Sequence, residues 1–306
     1  MNKVATGFFI SIVVFLSLFS CKAFKQNAAG QEEAYIFDNA LLWKVEGKDI
    51  KEPSYIFGTI HLIKNEDFFL PPGFEKAFEG VQEVIFELDM KQIEDPFVMM
   101  SIFPKLMMKG DTSLKDLLSK EDYDILQKRI DKYGLPSFLL DKIKPMFLSM
   151  LVENDMDYAS LHQQYKSYEM ELLKMAEEKG KKTGGLETLE YQISVFDSIP
   201  YKEQAAMLMD AIKADEEKQD QMRDLIMSYK NQDIGALYNS IHSDSVSVYE
   251  DLLVNNRNKN WVPLMIKYME EKPVMFAVGA GHLAGKYGVL TLLKKRGYKV
   301  TPVSGK

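Results

Sequence analysis

Four histidines are present in 306 residues, and two of them close the same pattern. Pro53-Ser54-Tyr55-Ile56-Phe57-Gly58-Thr59-Ile60-His61-Leu62 and Pro273-Val274-Met275-Phe276-Ala277-Val278-Gly279-Ala280-Gly281-His282-Leu283 each run from a proline through an apolar stretch into Gly-x-x-His-Leu. With 18 glycines in the chain, fewer than one such spacing is expected by chance, and chance does not require both to follow a predicted strand. Glycine at a strand end tolerates backbone angles closed to other residues and lets a turn start tightly. The histidine three positions on then stands at the carboxyl edge of a sheet, where open α/β folds place ligands. Glu87, in the apolar strand Val84-Ile85-Phe86-Glu87-Leu88-Asp89, adds a carboxylate, and Asp89 shares its face because strand side chains alternate. Two imidazoles and one carboxylate suit a hydrolytic metal centre with a position left open for water. The structural alternative is that each ring merely satisfies backbone groups in a tight turn.

Other motifs carry less. His162 and His242 lie in helix-like or polar stretches and read as ordinary surface or core residues. Gly279-Ala280-Gly281-His282-Leu283-Ala284-Gly285 imitates a dinucleotide fingerprint, but 21 residues after Gly285 cannot complete a nucleotide-binding half. There is no Gly-x-Ser-x-Gly elbow, Walker loop or His-Glu-x-x-His.

These residues need strands to hold them. Ala40 to Val45 and Pro53 to Phe57 form an expected strand pair around the turn Glu46-Gly47-Lys48-Asp49, and Phe74 to Glu79 a short helix. From about Asp95 to Glu250 methionine, leucine, lysine and glutamate recur at helical spacing, with a capping arrangement at Ser119 and Asp122 and a turn near Gly180 to Gly185. The methionines of this block read as core filler. Helix, strand, helix and strand follow at Trp261 to Glu271, Lys272 to Val278, Leu283 to Arg296 (stopped by Gly297) and Lys299 to Val303. The expected class is α/β: a mixed central sheet from the N- and C-terminal segments with a large, mainly helical middle region.

The first residues are expected to form a leader. Met1 to Ser20 has one charge, Lys3, and an apolar run from Phe8 to Phe19 that is short for a permanent span and shaped like a signal-peptide core. It ends Leu18-Phe19-Ser20-Cys21, and Cys21 is the only cysteine. A lone thiol in an exported chain lacks a disulfide partner. Cleavage before Cys21 and thioether attachment of a diacylglycerol gives it a role; Phe19 is larger than is usual there, and an ordinary secretory signal or an anchor helix are the alternatives. Residues 21–33 read as a polar tether and 34–306 as the folded domain. The expected location is extracytoplasmic, lipid-anchored to a bacterial membrane, with Lys22 rather than Asp favouring the outer one. The formal charge of −7, one unit more negative once Lys3 leaves, and the lack of a basic stripe argue against nucleic acid as partner.

The two Gly-x-x-His motifs, the strand containing Glu87, Gly185-Leu186-Glu187-Thr188 and Arg257-Asn258 before Trp261 together resemble the TraB/PrgY/GumN family, from about Ala40 to Val303. That family includes the Tiki proteins, membrane-tethered proteases that need a divalent metal such as manganese or cobalt. The resemblance implies a metal-dependent hydrolase, peptidase-like, acting on a peptide or small-molecule substrate. It implies metal or catalytic positions at His61, Glu87 and His282, with Glu87 ligating or acting as general base. Glu187 and Arg257 become supporting or substrate-orienting residues, Arg257 holding a substrate carboxylate or the oxyanion; a buried salt bridge or helix cap is their alternative. The rival functions are a non-catalytic ligand-binding or regulatory lipoprotein using the same cleft, and a structural envelope protein docking through its helices.

Overall fold

The computed structural model describes residues 38–47, 49–131, 136–152, 164–213, 216–242 and 249–303. The segments expected as leader and tether, with Cys21, and His162 lie outside those residues, as does the side chain of His242. Among the described residues two compact units divide the chain: a sheet unit from 38–90, 166–188 and 220–303, and a helical unit from 91–165 and 189–219. Among the described residues no helix is long and apolar enough to cross a membrane.

In the sheet unit, β1 (Leu42–Glu46), β2 (Ser54–Thr59), β3 (Glu83–Leu88), β4 (Lys182–Glu187), β5 (Val274–Gly279) and β6 (Lys299–Pro302) form one sheet in the order β4-β3-β5-β2-β1-β6. The first four in that row are parallel, and β1 is antiparallel to both β2 and β6. The mixed α/β class read from the sequence is the one observed. Every residue of β3 and β5 is buried, as continuous apolar runs require of central parallel strands. Phe57 stands opposite Ala277, Ala277 opposite Phe86, and Phe86 opposite Gly185, so four strands finish level at their carboxyl ends. That edge receives the chemistry.

β4 was expected as a turn inside the helical block. Lys182-Thr183-Gly184-Gly185-Leu186-Glu187 lacks both apolar alternation and β-branched density, yet it closes the parallel row beside β3. Its glycines are the reason: a Cβ on Gly185 would stand 2.7 Å from the Leu88 carbonyl carbon and clash with the Asp89 nitrogen. The middle block is therefore not one helical insertion, since β4 returns the chain to the sheet within it.

Other boundaries moved as well. The helix expected from Trp261 begins earlier, as α2 (Asn256–Glu271), following α1 (Tyr168–Glu178). The helix expected from Leu283 is a tight turn, Ala280–His282, and then α3 (Val289–Lys295), with Gly297 left-handed after it at φ 87°. The run Tyr201 to Lys230 is two helices, Tyr201–Ile212 and Glu216–Lys230.

The motif glycines also serve differently from the expectation. Left-handed glycines among the described residues are Gly73, Gly110, Gly180, Gly285 and Gly297, not Gly58 or Gly279. Gly58 supplies room: a Cβ there would stand 2.6 Å from Leu283 Cδ1 and 3.2 Å from Ala280 Cα. The first motif's glycine thus admits the turn that carries His282. Gly58→Ala is expected to lower stability by about 1–3 kcal/mol through overpacking, read from the urea midpoint at unchanged slope; a shift below about 0.5 kcal/mol would show that the turn yields freely.

In the helical unit, Ser119 Oγ accepts from the Asp122 N–H at 3.1 Å, the expected cap. Met99, Met108, Met146, Met207 and Met209 are buried, as core filler should be, while Met100 is exposed. The fully buried Lys144 donates to the Lys105 carbonyl at 2.6 Å and pairs with Asp197, so its charge is satisfied internally.

Candidate functional site

His61 lies two residues beyond β2, His282 three beyond β5, and Glu87 and Glu187 near the ends of β3 and β4. All four belong to the sheet unit and reach its carboxyl edge. Arg257, in the first turn of α2, completes the group. The side chains of His61, Glu87, Arg257 and His282 are all buried. The structure places His61, Glu87, Glu187, Arg257 and His282 in one buried cluster, while Cys21 lies outside the described residues.

Arg257 is the centre of the cluster. Nε donates to Glu187 Oε1 and Oε2 at 3.0 and 3.2 Å, and Nη2 donates to Glu187 Oε1 and Glu87 Oε2, both at 2.6 Å. Nη1 donates to the Leu253 carbonyl at 3.1 Å and stands 3.3 Å from His282 Nε2. A guanidinium has five N–H groups, and these acceptors occupy all five. As placed, the arginine directs all five hydrogens, one of them to His282 Nε2, within the buried cluster. Leu253 lies in a π-helical turn, Asp251–Asn255, directly before α2. Such turns recur at functional sites, and this one leaves a carbonyl for the guanidinium to grip.

Trp261, one turn further along α2, packs on both neighbours. Its ring lies 4.4 Å from the His282 ring and 4.6 Å from the Arg257 guanidinium carbon, and its Nε1 donates to Glu187 Oε2 at 3.0 Å. The buried stripe Arg257, Asn258, Trp261, Val262, Met265 and Met269 is the inward face of this helix.

The tautomer of His282 follows from its neighbours. Asn258 Nδ2 donates to the His282 carbonyl at 3.2 Å and to the Tyr287 carbonyl at 2.9 Å, which fixes the amide orientation. Its Oδ1, an acceptor only, stands 2.7 Å from His282 Nδ1, so that nitrogen carries the hydrogen. His282 Nε2 is left with a lone pair, 3.7 Å from Glu87 Oε1. Glu87 Oε1 in turn accepts the Gly279 N–H at 2.8 Å, which joins strand β3 to the start of the second motif.

His61 is held by a residue that sequence reasoning missed. Glu169, buried in the first turn of α1, accepts from Thr59 Oγ1 at 2.8 Å and stands 3.1 Å from His61 Nδ1 through the same oxygen. Its other oxygen accepts from Ser167 Oγ at 3.0 Å. His61 Nε2 is buried without a hydrogen-bond partner. The partners of both imidazoles among the described residues are side chains, so the backbone-satisfying alternative does not describe either ring.

The electrostatics agree with the geometry. Burial pushes the Glu87 carboxyl up, but Arg257, His282, His61 and the Gly279 N–H together hold it at about 2. Burial lowers His282, and with Arg257 and His61 opposing its protonation it falls to about 3 despite Glu87. Burial also works against His61, yet the charge and hydrogen bond of Glu169, aided by Glu87, leave it raised. Glu187 is raised by burial, only partly offset by Arg257 and Trp261. These mutual effects place His61, Glu87, Arg257 and His282 within electrostatic reach of one another.

A divalent ion, which the resemblance implies, meets suitable donors here. His61 Nε2 has an orphaned lone pair, the lone pair of His282 Nε2 faces Arg257 Nη1 at 3.3 Å, and Glu87 is ionised. Imidazole nitrogen with carboxylate oxygen suits first-row transition metals, and two carboxyl groups, Glu87 and Glu187, share a single guanidinium. Among the described residues no three His, Cys, Asp or Glu side chains are placed so that they could hold a metal ion as they stand; both Glu87 oxygens are engaged, by Arg257 Nη2 and the Gly279 N–H.

Comparisons with known proteins identify the family. The family model for TraB/PrgY/gumN matches residues 41–302. "Metalloprotease TIKI2" of Danio rerio is 24% identical, over 86% of this chain and 60% of its own length. "Metalloprotease TIKI1" of Homo sapiens is 22% identical, over 86% and 61%. The chain thus spans about three-fifths of the length of these relatives. No solved structure gives a significant match. With both Gly-x-x-His motifs, Glu87, Glu187 and Arg257 gathered at one sheet edge and the match running through nearly the whole folded part, the chain belongs to the TraB/PrgY/gumN family.

Proposed function

We propose that this chain is a divalent-metal-dependent hydrolase with peptidase chemistry, exported and held to a bacterial membrane by lipid at Cys21. The supporting observation is that two imidazoles, each with its hydrogen committed at Nδ1, bring Nε2 lone pairs and the Glu87 carboxylate to one buried sheet edge. His61 Nε2, His282 Nε2 and Glu87 would hold the ion. Bound there, the ion supplies Lewis-acid polarisation of a scissile carbonyl and a lowered pKa for its water.

The chain's own residues do the rest. Glu169 and Asn258 hold the ring hydrogens at Nδ1, away from the donor atoms. Arg257 keeps Glu87 ionised, and a carboxyl held at about 2 is a weak proton acceptor at neutral pH. That favours ligation over general-base work for Glu87. Trp261 packs against the His282 ring at 4.4 Å between centroids.

The test is metal content together with hydrolysis of a broad peptide library followed by mass spectrometry. His61→Ala and His282→Ala are each expected to lose bound metal at least 10-fold and turnover with it. Metal retained by the wild type with no turnover on any peptide would instead support a ligand-binding lipoprotein. Variants that keep both metal and turnover would remove these residues from the site.

A further inference from the structure

We infer that Glu169 is the positioning residue of the first Gly-x-x-His histidine: its carboxylate fixes His61 in the Nδ1–H form and turns the bare Nε2 into the cluster. A carboxylate accepts and does not donate when ionised, so at 3.1 Å the hydrogen between Glu169 Oε1 and His61 Nδ1 belongs to the ring. The carboxylate is itself held. Thr59 Oγ1 donates to the same oxygen at 2.8 Å, and Ser167 Oγ donates to the other at 3.0 Å. Thr59 is the last residue of β2, and Ser167 caps α1. Strand end and helix start thereby fix the carboxylate, and the carboxylate fixes the imidazole.

The opposite nitrogen argues for a purpose. His61 Nε2 is buried and unpartnered, and stranding a buried acceptor is unfavourable. A histidine kept only for packing gains nothing from that arrangement. The second histidine reaches the same tautomer through an unrelated device, the Asn258 amide oriented by two carbonyls. Two rings from two motifs thus present Nε2 by way of different partners, one anionic and one neutral. An anionic partner raises the basicity of the ring it holds, so His61 is the stronger donor of the two.

The metal arm of this inference rests on the function proposed above; the tautomer arm does not. Long-range 1H–15N spectra of the metal-free protein, with only four histidines to assign, show which ring nitrogen carries hydrogen. Wild type is expected to show His61 with hydrogen at Nδ1. Glu169→Gln keeps that pattern, because the amide oxygen still accepts, but loses roughly 10-fold in Co2+ affinity with the loss of charge. Glu169→Ala loses the fixed tautomer and weakens Co2+ binding further, toward 100-fold. Hydrogen at His61 Nε2 in wild type, or an alanine variant with unchanged spectrum and Co2+ affinity, overturns the proposal. If the alanine variant does not fold, unchanged Co2+ affinity in the glutamine variant overturns it. If wild type binds no Co2+, the metal reading fails while the spectra still decide the role of Glu169.

Discussion

Arg257→Met is expected to destabilise the protein by about 3–5 kcal/mol, the range for removing one partner of a buried ion pair. The side chain is fully buried and bridges Glu87 and Glu187, with Nη2 at 2.6 Å from each. Methionine fills most of the volume but leaves two buried carboxyls without a counter-charge. Chemical denaturation measures the loss. The sign of its pH dependence is fixed as well: without the guanidinium both folded carboxyls lie above their unfolded pKa, so the deficit grows as pH rises and shrinks on acidification. Glu187→Gln in the same background should recover part of the loss, because it removes one stranded charge. A deficit below about 1 kcal/mol that is flat with pH would mean the carboxyls find water or another cation, contrary to the ion-pair account.

Gly185→Ala is the second large effect. The added Cβ would stand 2.7 Å from the Leu88 carbonyl carbon and meet the Asp89 nitrogen closer still. Both are backbone atoms of the segment leaving β3, so no side-chain rotation relieves the clash. β4 must move away from β3, and Glu187, two residues on, moves with it away from Arg257. Overpacking alone costs about 1–3 kcal/mol, and the strained ion pair adds to that. A loss above about 3 kcal/mol, with faster amide exchange along β3 and β4, is the expected result. Gly80→Ala, at a helix end with open space around it, is the control and should be nearly silent. Equal behaviour of the two variants would falsify the close-approach account.

How much of this was legible depended on how each residue signals itself. His61 and His282 announce themselves through a rare residue type at a repeated spacing. β3 and β5 do so through uninterrupted apolar runs, and Glu87 through being a charge inside one. Glu187 and Arg257 came from resemblance, and the sequence left open which partner Arg257 would take. β4 was unreadable because Gly184-Gly185 erases the strand pattern, and the space that makes glycine necessary is created by β3, almost 100 residues earlier. Glu169 was unreadable for a similar reason. It resembles any acidic residue in the first turn of a helix, and its partner His61 lies 108 residues upstream. The motif glycines were noticed for the right positions and the wrong cause, since Gly58 is small for its neighbour's sake rather than for its own backbone.

The saturation of Arg257 also sets a timetable for the molecule. Glu87, Glu187, Leu253 and His282 come from four stretches of chain, and the guanidinium joins partners 170 and 70 residues before it and 25 after it. A chain still being synthesised holds the two acids long before it holds the base. Links of such long range slow folding and postpone this corner of the molecule until the last strand–turn segment arrives. The buried cluster around Arg257 would then be among the last parts of the sheet unit to assemble.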